Sequence, residues 1–140
     1  MANWQTGIVK DIVWWNERLF SLIIEADIAP FKAGQFTKLS LDQDGKRIAR
    51  AYSFVNAPED PNLEFYLIHV EDGQLSPPLC ALKKGDYVQV ADQASGFFTI
   101  DEVPAAEQLW LLATGTAIGP FLSILQSNDV WQKFNEIYLV

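Results

Sequence analysis

Between Trp4 and about Thr99 the chain is cut into six short runs of apolar or alternating residues, and this punctuation limits what it can fold into. The runs are Gly7–Trp15, Leu19–Ala26, Gln35–Leu41, Arg47–Val55, Leu63–Val70 and Tyr87–Ala91. Turn-forming residues separate them: Pro30 to Gly34, Asp44-Gly45, Pro58 to Pro61 and Asp72-Gly73. The Asp44-Gly45 pair predicts a hairpin turn, because glycine takes positive φ at low cost. Six short strands at this spacing predict a mainly β fold, a six-stranded antiparallel Greek-key barrel. One short capping helix interrupts it. Ser76-Pro77-Pro78-Leu79-Cys80-Ala81-Leu82 offers Ser76 as N-cap, proline where a missing N–H is harmless, and Gly85 beyond as a stop.

After Pro104 the pattern changes. Leu109–Ala113 is a continuous apolar run, as expected of a parallel strand buried on both faces. The turn TGTAIGP leads into a helical stretch over 121–125, a polar segment follows, and Ile137–Val140 begins a second buried strand. Strand, helix and strand in so few residues form one βαβ unit. A lone unit cannot cover both faces of a parallel sheet, so the chain reads as part of a longer protein. The expected organisation is a barrel domain over 1–100, a linker over 101–108, and an opening βαβ fragment over 109–140.

Composition narrows the function classes. The 140 residues are 49% hydrophobic and 20% charged, as in a folded globular domain. No run approaches the roughly 20 apolar residues that span a bilayer, and the N-terminus lacks a basic region leading into an apolar one. The lone Cys80 cannot form an internal disulfide, so the default expectation is cytoplasmic. A net charge of −8 argues against nucleic acid, whose phosphates call for a basic face.

Three segments carry candidate chemistry. In Arg50-Ala51-Tyr52-Ser53, strand alternation projects Arg50 and Tyr52 together and turns Ser53 away. An arginine fork suits a pyrophosphate, a tyrosine ring can cover a flat heterocycle, and Ser53 can bond a ring nitrogen. The same residues also fit a plain strand with a surface Arg, a core Tyr and a solvated Ser. In Gly73-Gln74-Leu75-Ser76, the helix start offers free amides to an anion, or Ser76 only caps the helix. In the turn over 113–120, Gly115, Thr116 and Gly119 sit where ligands dock at the end of a parallel strand, or form a connector for close packing. Ala117 replaces the middle glycine of a GxGxxG pattern. His69, the sole histidine, and Cys80 read as ordinary strand and core residues, and Glu64, Glu71 and Asp72 as surface.

Together and in this order, RAYSFVN (50–56), EFYLIHVEDGQLSPPL (64–79) and LLATGTAIGPFLSIL (111–125), with AGQFTKL (33–39) upstream, resemble the ferredoxin–NADP reductase family in its compact bacterial form. The resemblance covers essentially the whole chain. It implies an FAD-binding barrel followed by the truncated opening of a Rossmann-like NADP domain. It also implies an oxidoreductase exchanging electrons between NADP(H) and ferredoxin or flavodoxin.

Carried onto this sequence, the resemblance implies that Arg50 meets the FAD phosphates, that Ala51 belongs to the same cofactor site and that Tyr52 stacks on the isoalloxazine. Ser53 lies near the flavin nitrogen that exchanges hydride; Tyr52 and Ser53 are thus the catalytic pair. Tyr66, Leu67, Ile68 and His69 line the flavin, partly through backbone groups. Gln74, Leu75 and Ser76 hold the pyrophosphate, and Thr116 sits where nicotinamide meets flavin, in a turn shaped by Gly115 and Gly119. No metal is implied. The chain alone is expected to bind FAD without turning over NADPH efficiently. The alternatives are a flavin reductase or an oxygenase's reductase component, and, from another class, a non-enzymatic binding barrel.

Overall fold

The computed structural model describes residues 3–140. Strand β1 (Trp4–Trp14), β2 (Leu19–Glu25), β3 (Phe36–Gln43), β4 (Lys46–Ser53), β5 (Asn62–Ile68) and β6 (Tyr87–Ala91) form one antiparallel sheet in the order β4-β3-β6-β1-β2-β5. The order is that of a Greek key, with β6 returning to lie between β1 and β3. The outermost strands β4 and β5 approach each other only just past the end of β4. There Phe54 bridges to Phe65, and the Val55 amide donates to the Glu64 carbonyl at 2.9 Å. The barrel is thus closed at one end and open along the rest of this seam.

Alternation explains the interior. Phe20, Leu22 and Ile24 of β2 face Leu67, Phe65 and Leu63 of β5 across the ladder, and all six are buried. Val88 and Val90 of β6, Leu39 of β3 and Val9 of β1 complete the lining, with Leu75 and Leu79 plugging one end. Each fully buried side chain of this kind contributes about 1.5–3 kcal/mol relative to exposure. The Asp44-Gly45 hairpin forms as the sequence predicts. Both residues have positive φ (50° and 74°), and Gln43 pairs with Lys46 across a two-residue turn.

The short helix departs from expectation. Helix α1 spans Ser76–Cys80, with Leu75, not Ser76, at its cap position. The Ser76 hydroxyl instead accepts the Val70 amide at 3.0 Å and donates to the Val70 carbonyl at 3.2 Å, which knots the 70–76 loop. Gly85 does not stop the helix. It occupies the later Lys83–Asp86 turn at φ 95° and donates to the Val9 carbonyl.

Beyond the barrel, β7 (Gln108–Leu111) pairs in parallel with β8 (Glu136–Leu139), with α2 (Ile118–Leu125) and α3 (Asn128–Lys133) between them. Helix α3 falls in the segment read from sequence only as polar. Leu109, Leu111, Phe121, Ile124, Val130 and Phe134 form a second core, against which Ala33, Ile100 and Val103 pack. The expectation that both strands are buried on both faces is not met. Leu109 and Leu111 face the helices, while Trp110 and Leu112 are 55% and 67% exposed and Tyr138, Leu139 and Val140 are exposed too. Among the described residues nothing packs on that outer face; Trp110 and Tyr138 cover part of it by stacking on each other at 4.4 Å.

Side-chain hydrogen bonds tie the second unit to the barrel, two of them to the segment just after β4. Buried Ser123 donates to the Asn56 carbonyl at 2.6 Å, and Gln126 donates to the Val55 carbonyl at 2.8 Å. Gly119 allows the close approach, since a Cβ there would lie 3.3 Å from Val55 and 3.6 Å from Tyr66.

Candidate functional site

The open seam between β4 and β5 is the origin of the site. In an antiparallel strand the N–H and C=O of every second residue point to the same side. The Phe54 amide bonds back to Gln35 beside β3, so the backbone groups of Ala49, Ala51 and Ser53 point into the seam. On β5 the Glu64 carbonyl and amide meet Val55 and Asn56 across the seam, while the His69 amide turns to Arg18 on the far side. The backbone groups of Tyr66 and Ile68 therefore face the seam as well. Beyond the Phe54–Phe65 bridge, which takes the Tyr66 amide and the Ser53 carbonyl, the two edges confront each other without a ladder, and this leaves the groups of Ala51 and Ile68, the Ser53 amide and the Tyr66 carbonyl for a ligand to satisfy.

Two adjoining hollows follow this seam. One, of about 450 Å³, is lined by Gly34, Phe36, Ala51, Tyr52, Ser53 and Tyr66 from the barrel, by Phe98, and by Thr114, Thr116, Ala117, Gly119 and Pro120. The other, of about 380 Å³, continues past Arg50, Tyr66 and Ile68 to Gly73, Gln74, Leu75 and Ser76. Ala51, Tyr52, Tyr66 and Thr116 border both, so the hollows form one elongated cleft. Its size suits a dinucleotide-sized ligand.

At the far end Arg50 is already aimed. Its guanidinium donates to the Ala49 carbonyl at 2.7 Å and to the Gln74 side chain at 3.0 Å. Gln43 ties the same loop down by donating to the Gln74 carbonyl at 2.8 Å. The amides of Gln74, Leu75 and Ser76 find no acceptor among the described residues. Helix α1 has five residues and begins Ser-Pro-Pro, so its dipole is weak; the turn's own amides and Arg50 provide the positive end. Gly73 permits the fold of this loop, because a Cβ would sit 2.9 Å from the Ser76 oxygen and 3.0 Å from the Val70 carbonyl.

At the other end Tyr52 and Tyr66 bring aromatic faces. Burial raises the Tyr52 phenol above its ordinary value, against a smaller opposing pull from Arg50. The Tyr66 phenol is raised by burial and further by the negative charge of Glu64. Both are therefore neutral hydrogen-bonding rings over the physiological range.

The structure gathers most of the expected residues. Arg50, Ala51, Tyr52, Ser53, Tyr66, Ile68, Gln74 and Thr116 border the cleft. Ser53 does so although alternation turns it from Tyr52, because β4 is an edge strand and the cleft wraps around that edge. The side chains of Leu67 and Leu75 lie in the barrel core; the Leu67 backbone is taken up by the β2 ladder, and only the Leu75 backbone is left for a ligand. The Ser76 hydroxyl is spent on Val70. His69 faces a separate groove with Glu17, Arg18 and Glu71. Gly115 supplies a turn at φ 57°, and Gly119 serves packing while edging the cleft.

Sequence reasoning missed Gly34, Phe36 and Phe98 as cleft residues. Gly34, at φ 100°, is crossed so closely by the 96–98 loop that a Cβ would fall 1.8 Å from the Phe98 carbonyl oxygen. The exposed Phe97-Phe98 pair after Gly96 was the available signal.

A barrel with an open polar seam, an arginine and free amides at one end and tyrosines at the other defines a nucleotide-binding redox domain. Residues 8–96 match the family model of the oxidoreductase FAD-binding domain, and the chain belongs to that family. Its full length is 58% identical to the flavodoxin/ferredoxin–NADP reductase of Escherichia coli and 36% identical to the ferredoxin–NADP reductase of Pseudomonas aeruginosa. It covers 56% and 55% of those proteins, so the chain spans about half the length of the curated relatives it matches. A ferredoxin NADP+ reductase from Neisseria gonorrhoeae, solved with bound FAD and NADP, superimposes with a TM-score of 0.91. That match covers 99% of this chain and 57% of the other at 30% identity. No helix among the described residues is long and apolar enough to cross a membrane.

Proposed function

We propose that this chain is the flavin-holding part of a reductase that moves electrons between NADP(H) and ferredoxin or flavodoxin, and that FAD occupies the cleft between β4 and β5. The carrying observation is that Arg50, bonded to Gln74, and Tyr52 open onto one continuous hollow with the 73–76 turn. FAD requires anion donors at one end of a long slot and a flat, partly apolar wall at the other, and the residues present fit both needs.

Bound FAD supplies the exchange of a hydride for single electrons; the protein holds, orients and shields it. Arg50 and the amides of Gln74–Ser76 clasp the diphosphate. Tyr52 and Tyr66 flank the ring, and the edge groups of Ala51 and Ile68, with the Ser53 amide and the Tyr66 carbonyl, offer it backbone partners. Thr116, bordering both hollows, lies where a nicotinamide would approach. The division into a barrel over 1–100, a linker over 101–108 and the opening of an NADP-binding domain over 109–140 belongs to the same reading. So does a cytoplasmic setting, which suits a lone free thiol. Similarity to the flavodoxin/ferredoxin–NADP reductase of Escherichia coli supports the choice of electron partners.

The test is direct. Purified chain is expected to be yellow, to release FAD and not FMN on mass analysis, and to lack NADPH oxidation that appears once the C-terminal part of a full-length relative is joined to it. A colourless chain that takes up no FAD on titration would refute the reading.

A further inference from the structure

The outer face of β5 carries a carboxylate that does not line the cleft. Glu64 stands two residues before Tyr66 on the same strand face, roughly 7 Å away by strand geometry. Ser21 of β2 lies directly opposite Tyr66 and is fully buried. The Trp15 indole N–H donates to Ser21 Oγ at 2.8 Å, and Ser21 Oγ donates to Glu64 Oε2 at 2.8 Å. This chain has one direction: the indole can only donate, so the hydroxyl must pass its own proton toward Glu64, which accepts best as the anion. The Glu64 backbone is fixed as well, its amide donating to Asn56 Oδ1 at 2.9 Å and its carbonyl accepting Val55. None of the ion pairs among the described residues includes Glu64. The result is a part-buried, uncompensated negative charge held behind a tyrosine that lines the cleft.

A fixed charge in such surroundings acts over several ångströms with little screening, and it opposes the addition of electrons to a redox group nearby. Resting on the FAD reading above, we infer that Glu64 is a positioning residue for electron transfer: through Tyr66 and the Trp15–Ser21 relay it sets a negative field that lowers the reduction potential of flavin in the cleft. Glu64 touches no ligand itself. The relay holds one carboxylate oxygen in place.

The experiment uses the whole chain with FAD bound, and measures the flavin midpoint potential by equilibrium reduction against a reference dye. Glu64→Gln keeps the side-chain size and an acceptor for Ser21 but removes the charge, and is expected to shift the midpoint upward. Ser21→Ala, which frees the carboxylate, is expected to shift it upward by less. Glu25→Gln removes an equal charge from β2, where Glu25 pairs with Lys10 at 2.8 Å, and is expected to leave the midpoint at the parent value. Equal midpoints for Glu64→Gln and Glu25→Gln overturn the inference while leaving FAD binding intact. If Glu64→Gln does not fold, an unchanged midpoint in Ser21→Ala overturns it instead. A parent chain that binds no FAD overturns the functional reading itself, and the inference with it.

Discussion

Replacing Arg50 by alanine separates the energetics of the fold from those of the site. In the free chain its guanidinium makes two exposed hydrogen bonds, to Ala49 and Gln74. Losing exposed contacts of this kind costs within about 0.5 kcal/mol, so the unfolding midpoint should barely move. Toward a diphosphate the same group supplies a charge-assisted fork, each bond worth about 1.5–3 kcal/mol. Two such bonds, discounted for the solvent at this end of the cleft, give about 3 kcal/mol, or roughly a hundredfold weaker FAD binding. Arg50→Lys keeps the charge but not the fork and should lose about tenfold, close to 1.4 kcal/mol. Titration of apo-chain with FAD, followed by flavin fluorescence at low and high salt, reads both variants. The parent should weaken with salt more steeply than Arg50→Ala. An Arg50→Ala variant that folds normally and binds within threefold of the parent would refute the assignment.

Three further outcomes follow from the geometry. Gly34→Ala combines a φ of 100° with a Cβ placed 1.8 Å from a backbone oxygen, so it should cost at least about 3 kcal/mol in urea unfolding and displace the 96–98 loop. Ser76→Ala orphans the Val70 amide, which predicts a loss of about 1–3 kcal/mol in stability together with weaker FAD binding as the 70–76 loop loosens. For the exposed Lys32–Asp101 pair at 2.7 Å the hydrogen bond lowers the Asp101 carboxyl and raises the Lys32 ammonium. Its small contribution is full above the unfolded aspartate value of about 3.9 and below the unfolded lysine value of about 10.4. It fades as pH falls through the lowered Asp101 value or rises through the raised Lys32 value. Asp101→Asn should therefore flatten the acid limb of a stability–pH curve, and an identical acid limb would contradict the pairing.

Much of this was legible in sequence because it depends on local rules. Six strands and the Asp44-Gly45 turn follow from alternation and turn chemistry. Arg50 and Tyr52 were recoverable for the same reason. What could not be read depends on long-range approach. Gly34 matters because a loop some sixty residues later crosses it, and Ser76 turned from cap to loop clasp because Val70 comes within reach. Trp110 and Leu112 read as buried because an apolar run cannot say whether its second face has a covering layer. His69 and Tyr66 both sit in one apolar stretch, and only the folded chain sends one to a side groove and the other to the cleft.

The open seam also explains why the barrel is not simply closed. Pairing β4 with β5 throughout would satisfy every edge group and remove the aggregation risk that free edges carry. The fold instead spends its closing contacts at one point, Phe54 with Phe65 and Val55 with Glu64, and then uses the same segment to dock α2 through Asn56 and Ser123. Had the ladder continued past this bridge, Ala51, the Ser53 amide, the Tyr66 carbonyl and Ile68 would have been bonded as well and left nothing for a ligand. Had it not closed at Phe54, no fixed distance would exist between Tyr66 and the Thr116 turn. A seam zipped at one end and open at the other is the arrangement that gives a planar cofactor both a rigid slot and unpaired partners. It follows that the cofactor should stabilise the barrel by taking the place of the missing ladder between β4 and β5.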